Sequence, residues 1–202
     1  MVAFTSLLGP VYTLTRHFTL ATRHLSSMTR RRYIPSWLEG VENVEEYEPG
    51  GLHPMCIGDV LDNGRYAVIH KLGYGGFSTV WLARDLHASP NRLVAIKAMR
   101  ADVSTVADDE IPEMAISRAL QSILPRPVPL RFVDDKFTVR GPNGSHTCLV
   151  SSLAGPSVLA MLDCPGRTAG SRRLRADLAK KAARQTTVAI HLMHSEGIVH
   201  GG

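Results

Sequence analysis

Three groups of residues in this 202-residue chain have types and spacing that could do chemistry. The first is the run Gly73-Tyr74-Gly75-Gly76-Phe77-Ser78, whose three glycines remove side chains where backbone N–H groups would have to approach a phosphate closely. A tight hairpin turn is the plainer reading of the same run. The second is Lys97, which ends the apolar stretch Val94-Ala95-Ile96-Lys97. If buried on a central strand, it needs an anionic partner; the plainer reading is an exposed lysine at a strand end. The third is a carboxylate at the head of a helix-period segment, either Glu113 or Glu110, with helix capping as the plainer role for each. The chain closes on His194-Ser195-Glu196-Gly197-Ile198-Val199-His200-Gly201-Gly202, which reads as the approach to an active site.

The elements that must position these groups are legible from periodicity. Alternation from Arg65 to Leu72 and again from Thr79 to Asp85 predicts two strands flanking the glycine run, and Leu93 to Met99 predicts a central strand carrying Lys97. Residues 108–124 have helical period, with Met114 or Ile116 and Leu120 inward and acidic residues at the start, where they suit the helix dipole. Pro112 is tolerated only in a first turn, so the helix begins near Ile111 and Glu113 falls early on its inner face. A second hairpin is expected from Phe132–Arg140, the turn Gly141-Pro142-Asn143-Gly144 and a strand over His146–Ser151. A short helix within Ala154–Leu162 and a long amphipathic one from about Arg173 to Glu196 complete the order.

Composition narrows the functional classes. The chain has 23 Lys and Arg against 18 Asp and Glu, a net charge of +5. Arg16, Arg23, Arg30, Arg31 and Arg32 all precede the first acidic residue, Glu39, so the body that follows is neutral and no basic nucleic-acid face is indicated. No apolar stretch reaches the roughly 20 residues that span a bilayer. Cys56, Cys148 and Cys164 are an odd, widely spaced trio, which signals neither a zinc site nor a disulfide framework and fits a reducing compartment. The acid-free leader, residues 1–32, resembles a mitochondrial transit peptide: Leu14, Phe18, Ala21, Leu25 and Met28 share one helical face, and Arg16, Arg23 and Arg30 repeat on the other. A disordered basic leader fits the same composition. An acidic linker, Glu39 to Glu48, and the turn-rich Pro49–Pro54 then suggest a domain edge.

Taken in order, the glycine run, strand lysine, helix glutamate and closing His-Gly resemble the eukaryotic protein kinases. The stretch from Gly50 to Asp85, with Gly141–Val150 and His194–Gly201, resembles the SR-protein kinases and their fungal relatives more narrowly. The resemblance runs from about Tyr47 to Gly202. It implies an α+β fold: a kinase N-lobe of five antiparallel strands and one main helix over residues 47–152, then the first helices of an incomplete C-lobe over 153–202, preceded by a leader and linker over 1–46.

It also implies roles residue by residue. Leu72, Gly73, Tyr74, Gly75, Gly76, Phe77, Ser78, Thr79 and Val80 would cover the ATP phosphates, with Ser78 standing where the general motif has its third glycine. Ala95 would line the adenine site. Lys97 would contact the α and β phosphates and pair with Glu113, whose run Glu113-Met114-Ala115-Ile116-Ser117-Arg118-Ala119-Leu120 fits the family spacing. Val150 to Leu153 would lead to the hinge, although the family commonly has Phe-Glu where Ser151-Ser152 stand. ATP, with Mg²⁺ by family, is the implied cofactor, and Arg/Ser-rich splicing factors are the implied substrates.

In the family, His-Gly is followed by the catalytic aspartate and then by the metal ligands. Gly202 occupies that aspartate's position, so the sequence as given is expected to be unable to transfer phosphate and to bind nucleotide weakly at best, as a truncated kinase. The alternative is a short pseudokinase acting as a nucleotide-binding or protein-interaction module. With the rest of the C-lobe absent, Leu174, Leu178, Leu192, Met193 and Ile198 are expected to lack cover and to invite a partner. The family resemblance suggests cytoplasm and nucleus; the leader suggests mitochondria.

Overall fold

Alternating apolar residues at a two-residue period can bury one strand face, and the chain uses five such runs plus a short sixth to build one antiparallel sheet. The computed structural model describes residues 41–90, 92–105, 111–123, 129–162 and 173–199. Its strands are β1 (Val60–Leu61), β2 (Tyr66–Gly75), β3 (Ser78–Asp85), β4 (Arg92–Met99), β5 (Val133–Gly141) and β6 (Gly144–Ser152), arranged in the order β1-β2-β3-β4-β6-β5. The expected sheet of five therefore gains a two-residue edge strand, too short for an alternation pattern to reveal. Its turn into β2 places Asp62 and Asn63 at positive φ, where short polar side chains are tolerated best. Among the described residues three α-helices follow the expected order: α1 (Pro112–Ile123), α2 (Val158–Leu162) and α3 (Ala176–Ser195).

The sheet curls strongly. β2 carries two register irregularities against β3, between Val68 and His70 and between Lys71 and Gly73, and bulges of this kind add local twist. As a result Tyr66 near one edge stacks on Phe137 of β5 at the other, with ring centroids 5.3 Å apart. The enclosed face buries Tyr66, Val94, Ile96, Cys148 and Val150 completely or nearly so. At about 1.5–3 kcal/mol for each large apolar side chain, this cluster is the main source of the lobe's stability. Burial pushes the Cys148 thiol up to about 12, so it behaves as a small apolar side chain.

Polar groups fasten the curl at one end. Arg65 bonds Asp85 at 3.1 Å and Asp135 at 2.5 Å, while the Tyr66 hydroxyl donates to Asp135 at 2.9 Å. The Arg65 hydrogen bond holds the buried Asp85 carboxyl below the usual carboxylate range, assisted by the His87 N–H.

The acidic stretch expected to be a linker is instead part of this lobe. Glu42 is buried, paired with Lys71 of β2 and bonded by the Tyr47 hydroxyl, and Glu46 pairs with Arg100 at 3.2 Å. The turn-rich stretch continues as a strap over the sheet: Leu52 and Met55 are buried, the Gly50 N–H donates to Asn143 O, and Ala101 and Asp102 donate to Gly51 O and Gly50 O. Close approach is the reason for glycine at position 51, where a Cβ would lie 2.0 Å from the Glu46 carbonyl oxygen. Backbone cannot yield as a side chain would, so Gly51→Ala is expected to lower unfolding free energy by about 1–3 kcal/mol in urea denaturation.

Candidate active site

On the other face of the sheet α1 packs over β4 and β6, and a cleft of about 410 Å³ opens between them. Val80, Ala95 and Lys97 supply one wall, with Glu113, Ile116, Ser117 and Leu120 of α1 opposite. These four helix positions recur at helical spacing, as one face must. Met114 takes the inward position beneath the helix with Ile111 and Leu149, whereas Ile116 is 42% exposed and looks into the cleft.

Lys97 Nζ donates to Glu113 Oε2, which selects Glu113 as the lysine's partner; Glu110 lies outside the described residues. Of the two readings the sequence left open for Lys97, neither full burial nor a free strand end holds: the two side chains are paired yet keep 35% and 41% of their exposure because they meet at the cleft and not inside the core. A pair this open contributes about 0–1 kcal/mol to stability. Its consequence is positional, a cation held in a cleft with apolar walls.

The helix face is fixed by a second contact that sequence reading missed. The Val133 N–H donates to Ser117 Oγ at 2.9 Å, and Gln121 Nε2 donates to Ser117 Oγ at 3.2 Å and to Val133 O at 3.0 Å. Ser117 lies one turn beyond Glu113, so this clamp sets the helix rotation that aims the carboxylate. Ser117 was not among the inward positions read from helical period, and nothing in the sequence joined it to Val133.

The glycine run forms the β2–β3 hairpin, closing at the pair Gly75 and Ser78, with Gly73, Val80, Lys97 and Leu149 in register across four strands. None of these three glycines has positive φ. A Cβ at Gly73 or Gly76 would meet nothing within 4 Å, and one at Gly75 only Ser78 Oγ at 3.8 Å. The fold therefore does not demand glycine there, and what glycine leaves is bare backbone beside the cleft.

Of the residues expected to surround the nucleotide, the cleft wall takes Val80, Ala95, Lys97 and Glu113. Leu72, Tyr74 and Phe77 point to solvent, Ser78 is buried, and Thr79 is fully buried on the opposite face, bonded by the Trp81 indole N–H at 3.0 Å. Strand alternation forces that last outcome, since Val80 takes the cleft side. In the hinge run Ser151 lines the cleft, Val150 is buried in the opposite core, and Leu153 is exposed.

Beyond the expected set, Phe132, Val133 and Leu149 line the cleft's inner end, and Met193, Ile198 and Val199 reach it from the C-terminal segment. Leu192, Met193 and Ile198 were expected to lack cover; they pack instead against Leu120 and Phe132. Leu174 is half-buried and Leu178 remains exposed. His200, Gly201 and Gly202, the leader and Cys164 lie outside the described residues. Among the described residues no helix is long and apolar enough to cross a membrane, and no group of three or more His, Cys, Asp or Glu is placed to hold a metal ion.

A curled antiparallel sheet, a single helix whose glutamate meets a strand lysine, and a glycine hairpin beside that pair define a protein-kinase N-lobe, here followed by part of a C-lobe. Comparison with known proteins agrees. The chain is 35% identical over 163 residues to protein kinase dsk1 of Schizosaccharomyces pombe, covering 79% of this chain and 29% of that one. It is 36% identical over 136 residues to human SRSF protein kinase 3, covering 62% and 24%, and 31% identical over 166 residues to serine/threonine-protein kinase SKY1 of Saccharomyces cerevisiae, covering 79% and 21%. No protein-family model matches the chain. The chain belongs to the SR-protein-kinase-like family of serine/threonine kinases, and it spans between 21% and 29% of the length of these three relatives.

The clamp can be tested by itself. Ser117→Ala leaves the Val133 N–H and the Gln121 amide without their shared acceptor and is expected to cost about 1–3 kcal/mol in urea denaturation, an outcome that a merely solvent-facing serine would not give.

Proposed function

We propose that the cleft binds ATP in the manner of the family, and the observation that carries this reading is the Lys97–Glu113 pair held half-open beside the glycine hairpin. The residues fit the chemistry of the ligand. Val80 and Ala95 offer small apolar surface for a purine, and the backbone around Ser151–Leu153 offers donors and acceptors for its edge. Lys97 offers the charge for phosphate oxygens, with Glu113 orienting the ammonium. The bare hairpin backbone at Gly73, Gly75 and Gly76 allows N–H groups to come close to phosphate. Mg²⁺, where bound, would neutralise phosphate charge. The aspartate that the resemblance places after His200-Gly201 serves the transfer step, and the metal ligands beyond it serve both that step and the hold on the phosphates. By the same resemblance, the protein substrates are Arg/Ser-rich splicing factors and the setting is cytoplasm and nucleus.

ATP with Mg²⁺ is expected to raise the thermal midpoint of the full chain in a concentration-dependent way, as any ligand that binds only the folded state must. Lys97→Ala should abolish that shift while changing the nucleotide-free midpoint little, because so exposed a pair adds little stability. An unshifted native chain would overturn the nucleotide reading and leave a protein-interaction module.

A further inference from the structure

The strap is seated on the sheet by two histidines that the cleft does not use. His146 of β6 is fully buried, and His53 of the strap is 8% exposed. Their ring centroids lie 4.8 Å apart. His146 Nδ1 lies 3.0 Å from Met99 O. A carbonyl can only accept, so Nδ1 carries the proton and Nε2 presents a bare lone pair. Among the described residues that Nε2 is buried without a partner, and so is His53 Nδ1. The His53 ring fills the space over Gly141, where a Cβ would come within 2.5 Å of it. The ring therefore has little room to turn toward water while the strap is docked.

We propose that the His53–His146 pair is an acid-sensitive latch: docked when both rings are neutral, and released, with the strap, when a proton binds. A charged ring in this seat would be desolvated, and leaving the seat gives it water. The groups acting on His53 are His146 from β6 and Asp59 just past the strap. Gly141 at the end of β5, Asn143 in the following turn and the Met99 carbonyl bring no charge. Burial is the largest influence and holds His53 below the ordinary histidine range; His146 adds to this and Asp59 opposes it. The sign follows. Docking is at full strength above the ordinary histidine value near 6.5 and weakens as pH falls below it, because the released strap binds the proton more readily.

The latch also reaches the glycine hairpin. Gly51 O and Gly50 O accept from Ala101 and Asp102, the next residue back, Arg100, donates its N–H to Phe77 O, and its guanidinium pairs with Glu46 of the strap. Release of the strap thus removes partners from the segment that braces the hairpin tip.

Hydrogen exchange on the full chain, corrected for intrinsic rates, tests this at pH 7.5 and 5.5. Protection at the amides of Gly50, Ala101 and Asp102 is expected to fall by up to about tenfold at the lower pH, the most that one histidine of ordinary unfolded pKa can give over that interval. Arg100 should follow them, while Val94 and Ile96 in the sheet centre should not. His53→Gln should flatten the pH dependence. Unchanged strap protection in the native chain, or a full tenfold loss persisting in His53→Gln, overturns the latch. If the variant fails to dock the strap at either pH, ring titration of the native chain by NMR decides: His53 titrating at or above the ordinary histidine value overturns the proposal, and titration below it supports the latch.

Discussion

The curl of the sheet is the constraint on which the rest depends. A flat sheet in the order β1-β2-β3-β4-β6-β5 would hold Tyr66 and Phe137 far apart; here they stack, and one face of the sheet closes around its own core. Twist supplies the tendency, the irregularities in β2 increase it, and Arg65 with Asp85 and Asp135 fastens it. With one face enclosed, only the other is left for α1, and the cleft lies where that helix meets β4. The strap follows from the same geometry, because Met55 joins the core that the curling strands enclose and Leu52 is fully buried beside it in the chain.

Against this rigid lobe the site is built from weak and open contacts. Lys97 and Glu113 meet where water still reaches them, so their attraction is largely screened and can be given up to a phosphate at little cost. Orientation comes instead from neutral hydrogen bonds among Ser117, Gln121 and Val133, which hold the helix face in place without competing for the lysine. The division is physically sensible: a fully buried ion pair would resist ligand exchange, and an unclamped helix would not keep its carboxylate aimed.

Much of this was legible in the chain. Strand alternation located β2 to β6, Pro112 set the start of α1, and the spacing within the run Glu113 to Leu120 matched the family pattern. The strap was not legible, since turn-rich residues such as Gly50 and Gly51 suggest an edge and their hydrogen bonds run to residues about fifty to ninety positions away. Nor was the packing of α3: amphipathic period showed a face to be covered but could not name Leu120 and Phe132 as its cover.

The sequence by itself determined which residues could bear charge, which strands could bury one face, and where glycine left backbone bare, because these depend on side-chain chemistry and on periods of two and 3.6 residues. The tertiary structure alone decided that Thr79 faces away from the cleft while Val80 lines it, that Lys97 stays half-open, and that His53 meets His146 across ninety-three residues of chain. Those outcomes rest on register and curl, which long-range packing sets and no local pattern encodes.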